Sequence, residues 1–392
     1  MYGDVAIAGI GEVPTGIFPD RTPFEAACQA ARSAVADSGL RKDDIDVLMP
    51  AGAIFSRGFN TDLIFGRLVE ELGLANTCEM NVQVMAGGAS ASAMVKLAGS
   101  LVASGVARNV LCVQSDKIGS GVSTRDAIDI FSTLGIPEEW EQPYGQHFSA
   151  IAALVTRRYQ HETGTTSEQL ASVVVALREW AQLNPNAMVR KPITVEDVLA
   201  SQMLSDPLHA KESNLLADGA VAFVVTTAER AEAVTDTPVY VLGGGSSVTH
   251  YSLSQERDLA RLGFRRAAKK AFEIAGVGPA DMHVAELYDS YPVFCLMALE
   301  ELGLVERGEA GALVASGATS PGGRLPMTTN GGMLSQGHSV VGGGIALLVE
   351  AARQLMGKAG ARQVPGARLA VETSTGGSYM DAHVMVLGAE RR

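Results

Sequence analysis

Cysteine is scarce in this chain. There are four in 392 residues, at positions 28, 78, 112 and 295, and none follows Cys295. Their spacing matches no metal motif and most sit in apolar runs. They read as buried free thiols, the state expected in a reducing cytoplasm. Basic charge is also short: 31 Lys and Arg stand against 43 Asp and Glu, a net charge of −12. That balance excludes non-specific nucleic-acid binding, which needs clustered cations to displace counterions. It leaves room for a local basic patch facing a nucleotide-bearing ligand. No apolar run reaches the roughly 18–20 residues that span a bilayer. The first residues carry no basic segment ahead of their apolar stretch, so they are expected to form a strand and not a signal peptide. His-Glu-x-x-His is absent, no metal site is expected, and Gly9-x-Gly11 alone is too weak to mark a dinucleotide site.

What the chain has in quantity is apolar side chain, 47% of residues, and 43 glycines. That is enough for two domains or one large duplicated one. A duplication is visible directly. Residues 87–105 read GGASASAMVKLAGSLVASG, and residues 342–360 read GGGIALLVEAARQLMGKAG. Each opens on glycines, continues as an Ala-rich helix apolar on most faces, and closes on a glycine suited to a left-handed C-cap. Each is followed by a β-rich run, at 109–114 and 368–372. Helices apolar all round are normally buried between layers. Two in matching places predict similar halves around a shared helical layer.

Further α/β elements support this. Strands are expected at 5–9, 47–49, 221–226, 239–242 and 284–287. A helix is expected from Thr22, with Pro23 at N1 and Glu25 at N3, to about Ser38. Another is expected over 257–275. Between the halves, residues 117–215 differ in character: helices are expected near 148–160 and 167–183, and Asn184-Pro-Asn-Ala187 then breaks the chain. The expected organisation is one half formed by 1–116 with 216–235, an inserted helical loop domain at 117–215, and a second half at 236–392.

Several segments, in this order, carry a resemblance. They are Val5-Ala-Ile-Ala-Gly-Ile-Gly11, the 87–105 helix, Leu183-Asn-Pro-Asn-Ala-Met188, Val195-Glu-Asp-Val-Leu199, Ala217-Asp-Gly-Ala220, Glu286-Leu-Tyr-Asp-Ser-Tyr291 and Asn330-Gly-Gly-Met-Leu-Ser-Gln-Gly-His338. Together they resemble the thiolase superfamily, in particular sterol-carrier-protein-type thiolases and their lipid-transfer-protein-like relatives. The resemblance implies a thiolase fold: two βαβαβαββ-type halves layered α/β/α/β/α, with an inserted helical loop domain. It also implies that the acyl-carrying cysteine is replaced by Gly88. The late acid/base cysteine falls near Ser374-Thr375-Gly376-Gly377, where there is no thiol. The usual Asn or His ahead of the acidic residue is Tyr288, while Gly337-His338 is kept. This pattern is similar to steroid-degrading enzymes that cleave a β-hydroxyacyl-CoA by retro-aldol chemistry with a small OB-fold, zinc-ribbon partner.

Retro-aldol cleavage needs no acyl-enzyme. It needs a base for the β-hydroxyl proton and donors for the thioester enolate. Tyr288 is the candidate base, although a phenol with an ordinary pKa of about 10 needs a nearby cation or strong hydrogen bonds, and Asp289 works against it. His338 is the candidate enolate donor. His147 is a further candidate at the start of a loop-domain helix. Gly87, Gly88, Asp289, Tyr291, Gly337 and Gly376 are expected to line the substrate, and Arg190 and Lys191 to meet CoA phosphates. The CoA thioester is the substrate, and no covalent cofactor is expected. A homodimer pairing through 78–83 is expected, joined by the small partner into a heterotetramer. Two alternatives stand beside the lyase: a divergent acyl-CoA acyltransferase, and a non-catalytic acyl-CoA-binding subunit.

Overall fold

The computed structural model describes residues 2–52, 64–132, 135–339 and 341–392. Nine strands form one sheet in the order β3-β2-β4-β7-β1-β8-β11-β10-β9. They are β1 (Val5–Glu12), β2 (Val47–Gly52), β3 (Met80–Asn81), β4 (Asn109–Lys117), β7 (Asp218–Thr227), β8 (Val239–Val248), β9 (Val284–Glu286), β10 (Leu369–Ser374) and β11 (Asp381–Gly388). The intervening β5 (Met203–Ser205) and β6 (Leu208–His209) form a separate hairpin.

The duplication is explicit in the register. From the centre outward one half runs β1, β7, β4, β2 and the other β8, β11, β10, β9. In both, the first two pairings are antiparallel and the last is parallel. The halves join where Ala6 and Ile7 pair with Tyr240 and Val239.

The helices are α1 (Pro23–Asp37), α2 (Ile64–Glu71), α3 (Ser90–Ala103), α4 (Thr124–Phe131), α5 (Phe148–Thr163), α6 (Ser167–Gln182), α7 (Val195–Leu199), α8 (Ala228–Val234), α9 (Phe264–Ala275), α10 (Pro292–Glu301), α11 (Ala310–Ala315), α12 (Gly332–Ser335) and α13 (Gly342–Leu355). The repeated pair α3 and α13 touch each other and strands of both halves. Their apolar faces share one core with Ile7, Met49, Val225, Val241 and Ala370. α1 packs outside β1, β4 and β7, and α9 outside β8 and β11, which completes the α/β/α/β/α layering. α5 and α6 lie against α10, α11 and α12, so the segment inserted in the first half rests on the second.

Two expectations need adjusting. The helix expected over 257–275 begins only at Phe264, because the carboxylate of Glu301 takes the N–H groups of Leu262 and Arg265 at 2.9 and 3.0 Å and caps it there. The strand expected over 78–83 is reduced to Met80–Asn81 at the sheet edge, paired with β2 alone. All four thiols are free, and Cys28, Cys112 and Cys295 are buried.

Candidate functional site

The site forms where the N-terminal ends of α3 and α13 meet the chain leaving β9 and β10. Gly87, at φ +56°, and Gly88 make the turn into α3. A Cβ at Gly88 would collide with the Tyr288 Oη and the Thr375 carbonyl, and would stand 2.7 Å from Tyr288 Cε2. Glycine here is therefore complementary to tyrosine at 288: the phenol fills the room that a side chain at 88 would enter. Gly376 presses on Ala86 from the other side, where a side chain would strike the Ala86 carbonyl.

Tyr288 leaves β9 with its N–H donated to Thr373 Oγ1 at 2.9 Å. It is 6% exposed, and its ring meets that of His338 edge-on, centroids 6.3 Å apart. Burial, then the charges of Asp289 and Asp381, push the phenol well above its ordinary range. The resting phenol is thus protonated. This bears directly on the expected base role, because a group so hard to deprotonate is a better donor than acceptor.

His338 is 7% exposed and is placed by backbone and glycine. Its N–H bonds the Leu215 carbonyl at 2.7 Å, and its own carbonyl accepts from Ala217 N–H at 3.1 Å. Gly337, at φ +123°, packs against Ala217, where its missing Cβ would come within 3.0 Å of the Ala217 Cβ. Gly343 admits the imidazole, since a Cβ there would lie 2.7 Å from His338 Cδ2. Gly344 in turn lets α13 reach the Gly88 carbonyl. The Gly-Gly-Gly run that opens α13 is thus a close-approach surface for the site as well as a helix start.

Asp289 was expected to line the substrate and instead acts as a clamp. It is 0% exposed, and its carboxylate accepts from the N–H groups of Met333 and Leu334 at 2.9 and 3.0 Å, fixing the start of α12 ahead of His338. Burial pushes its carboxyl up to about 7, against the downward pull of those two bonds. His147 also departs from expectation. It is the N-cap of α5, and its Nδ1 accepts from Ala150 N–H at 3.4 Å, so that nitrogen is used by the helix. Tyr291 caps α10 and bonds Ser149 Oγ at 2.8 Å; it links the second half to α5 from a buried position.

Arg190 and Lys191 are exposed. They continue a segment stitched to the His338 loop, since Met188 and Val189 donate to the Gln336 and Ser335 carbonyls, each at 3.0 Å. The Asn184 break serves the same loop: buried Asn184 Nδ2 donates to the Asn330 carbonyl at 2.9 Å. Thr375, in the segment marked by the resemblance, supplies the carbonyl beside Gly88. Asp381, which accepts from Gly376 N–H at 2.6 Å, had no sequence signal. Asp381 opens a strand that composition alone did not mark.

Taken together, the arrangement sets the Tyr288 phenol and the His338 imidazole beside a backbone-lined turn, with no cysteine at 88 or in 374–377. A phenol and an imidazole are groups able to donate or accept a proton, whereas acyl transfer through sulfur needs a thiol. Residues 245–389 match the family described as "Thiolase C-terminal domain-like". An acetyl-CoA acetyltransferase from Methanothermobacter thermautotrophicus is 33% identical over 388 residues, 98% of this chain and 99% of that protein. The 17-hydroxy-3-oxo-4-pregnene-20-carboxyl-CoA lyase of Mycobacterium tuberculosis is 35% identical over 371 residues, 91% of this chain and 92% of that one. Among solved structures, the "Ltp2-ChsH2(DUF35) aldolase" superposes with a TM-score of 0.86 at 29% identity, covering 100% of this chain and 99% of the other.

Proposed function

Since this chain belongs to the thiolase superfamily and carries glycine at the acyl-carrying turn, we propose that it is a carbon–carbon lyase. It cleaves a β-hydroxyacyl-CoA thioester to a ketone or aldehyde and a shorter acyl-CoA. The observation that carries this is the exchange at Gly88: the Tyr288 phenol occupies the room in which an acyl-carrying side chain would begin.

In the cleavage step the β-hydroxyl loses its proton and its oxygen becomes the product carbonyl. The Cα–Cβ electron pair moves to Cα and into the thioester as an enolate, and Cα then takes a proton. The acid/base work falls to the Tyr288–His338 pair. With the phenol held protonated by burial and by two carboxylates, Tyr288 is the donor to the enolate and His338 accepts the β-hydroxyl proton. This inverts the roles expected from the sequence. Gly87, Gly88, Gly337 and Gly376 give the substrate close access to backbone. Arg190 and Lys191, beside the His338 loop, meet the CoA phosphates.

The acyl group is a steroid side chain, a reading supported by the lyase from Mycobacterium tuberculosis. The chain forms a homodimer and joins a small OB-fold, zinc-ribbon partner in a heterotetramer; the two-component name of the similar aldolase structure supports a partner. It works in the cytoplasm, and no helix among the described residues is long and apolar enough to cross a membrane. The test is a synthetic β-hydroxyacyl-CoA incubated with the chain and its partner. Carbonyl product appearing without consumption of free CoA is expected. Cleavage that requires added CoA, or a trapped acyl-enzyme, would establish acyl transfer instead.

A further inference from the structure

A line of polar side chains runs from α3 across the second half-sheet to the 375–376 turn of the site. Asp381 opens β11. Its Oδ1 accepts from Gly376 N–H at 2.6 Å, and its carbonyl accepts from Thr375 Oγ1, also at 2.6 Å. Asp381 therefore grips both residues of the turn whose carbonyl crowds Gly88 beside the Tyr288 phenol. The carboxylate is itself supported. His383 Nε2 lies 3.3 Å from Asp381 Oδ2, and His383 Nδ1 lies 3.0 Å from Ser246 Oγ. Lys96 Nζ, from α3, donates to the same Ser246 hydroxyl. Ser246 is exposed, while His383 and Lys96 are half-buried, so the line begins at solvent and ends at the 375–376 turn.

We propose that Asp381, backed by His383, Ser246 and Lys96, is a positioning residue that holds the 375–376 turn against Gly88 and the Tyr288 phenol. The proposal rests on the Tyr288–His338 reading of the site. A negative charge close to a phenol disfavours its ionised form, so Asp381 keeps Tyr288 a donor. The other groups acting on the phenol are Asp289 from its own segment, His338 from the loop after α12 and Tyr379 from the loop before β11. Those acting around Asp381 are His383 on its own strand and Lys96 on α3. Lys96 also feels Glu372 of β10 and Lys270 of α9. Asp381 and His383 face the α3 side of β11, whereas Ala382 and Val384 face the other core. Two charged or titratable residues one pleat apart on a buried face are costly unless they are paired, and here each has its partner.

The test places 3,5-difluorotyrosine at position 288 in the otherwise intact chain with its partner, so that one ¹⁹F signal reports this phenol. The pH titration is followed in three backgrounds. Asp381→Asn keeps an acceptor for Gly376 N–H and removes the charge, so the midpoint is expected to move to lower pH. His383→Asn keeps a group for Ser246 but loses the contact to Asp381. The carboxylate is then less offset, and the midpoint moves to higher pH. Opposite signs from two neighbouring substitutions are not a consequence of loosened packing, and circular dichroism melts check that each variant folds. An unmoved midpoint in Asp381→Asn, or the same direction in both variants, overturns the proposal. The alkaline limb of kcat in the natural-tyrosine protein is expected to follow the same order, with KM changed less than kcat. If the ¹⁹F midpoints move as expected and that limb does not, Asp381 sets the phenol, and it is the catalytic reading of Tyr288 that falls.

Discussion

Gly88 and Tyr288 are sterically complementary. A methyl group at 88 has nowhere to go, because the phenol oxygen and the Thr375 carbonyl both crowd its position. Gly88→Ala is therefore expected to overpack the turn and cost about 1–3 kcal/mol in denaturant unfolding, with turnover falling at the same time. Gly88→Cys adds a thiol and displaces Tyr288. With no cysteine in the 374–377 segment to relay protons, it should show no efficient CoA-dependent thiolysis; substantial thiolysis would mean a second proton route exists. Tyr288→Phe keeps the ring and removes the hydroxyl, and His338→Ala removes the imidazole. Each is expected to lower turnover by about 10²–10⁴-fold, and the double variant by less than the product. Their pH profiles separate the roles. If His338 takes the β-hydroxyl proton, the rising limb persists in Tyr288→Phe and disappears in His338→Ala; the reverse result would restore Tyr288 as the base.

At the scale of elements, a four-residue helix governs the site. Gly331 at φ +97° starts α12. Its first N–H, of Gly332, goes to Asn330 Oδ1 at 2.8 Å, and the next two, of Met333 and Leu334, are taken by Asp289, from the same segment that carries Tyr288. One carboxylate thus ties the Tyr288 strand end to the helix that delivers His338. Asp289→Ala leaves buried donors unsatisfied, at a cost of about 1–3 kcal/mol each. It should loosen His338 before it unfolds the chain. The expected signature is a fall in kcat larger than the change in global stability can explain, read from kinetics and urea unfolding side by side. A variant that loses stability but keeps kcat would limit Asp289 to a fold role.

Over the whole molecule, buried carboxyls make stability depend on pH. Burial raises Asp289 to about 7 and Glu372, on β10 facing α3, to about 8. In the unfolded chain such groups titrate at about 4. The folded state therefore binds these protons more tightly. The stability tied to them is complete below about pH 4 and is lost as pH rises through 7–8. Glu372→Gln carries no proton to lose, and it can still meet the Ser92 hydroxyl that donates to Glu372 Oε2 at 3.3 Å. Its melting temperature is expected to fall less than that of the parent between pH 5 and pH 8.5. Parallel melting curves across that range would mean that Glu372 ionises freely in the fold.

The duplicated layering was legible in the chain because it rests on period and repetition. Two Ala-rich helices opened by glycine and followed by apolar runs have one efficient way to be buried, between the two halves of the sheet. Glycine at 88 and histidine at 338 were legible as motif positions for the same reason, being local. The roles within the site were not. Asp289, Tyr291 and His147 look alike in sequence as polar residues near a glycine-rich segment, yet they are a helix clamp, an inter-element tie and a cap. What separates them is which backbone N–H or hydroxyl each one meets, often from elements tens to hundreds of residues away. The proton state of Tyr288 was equally out of reach. It depends on burial and on a charge at Asp381, 93 residues along the chain, brought beside it only when β11 pairs with β10. Apolar pattern is written along the chain, whereas electrostatic environment is a sum over neighbours that exist only once the chain has folded.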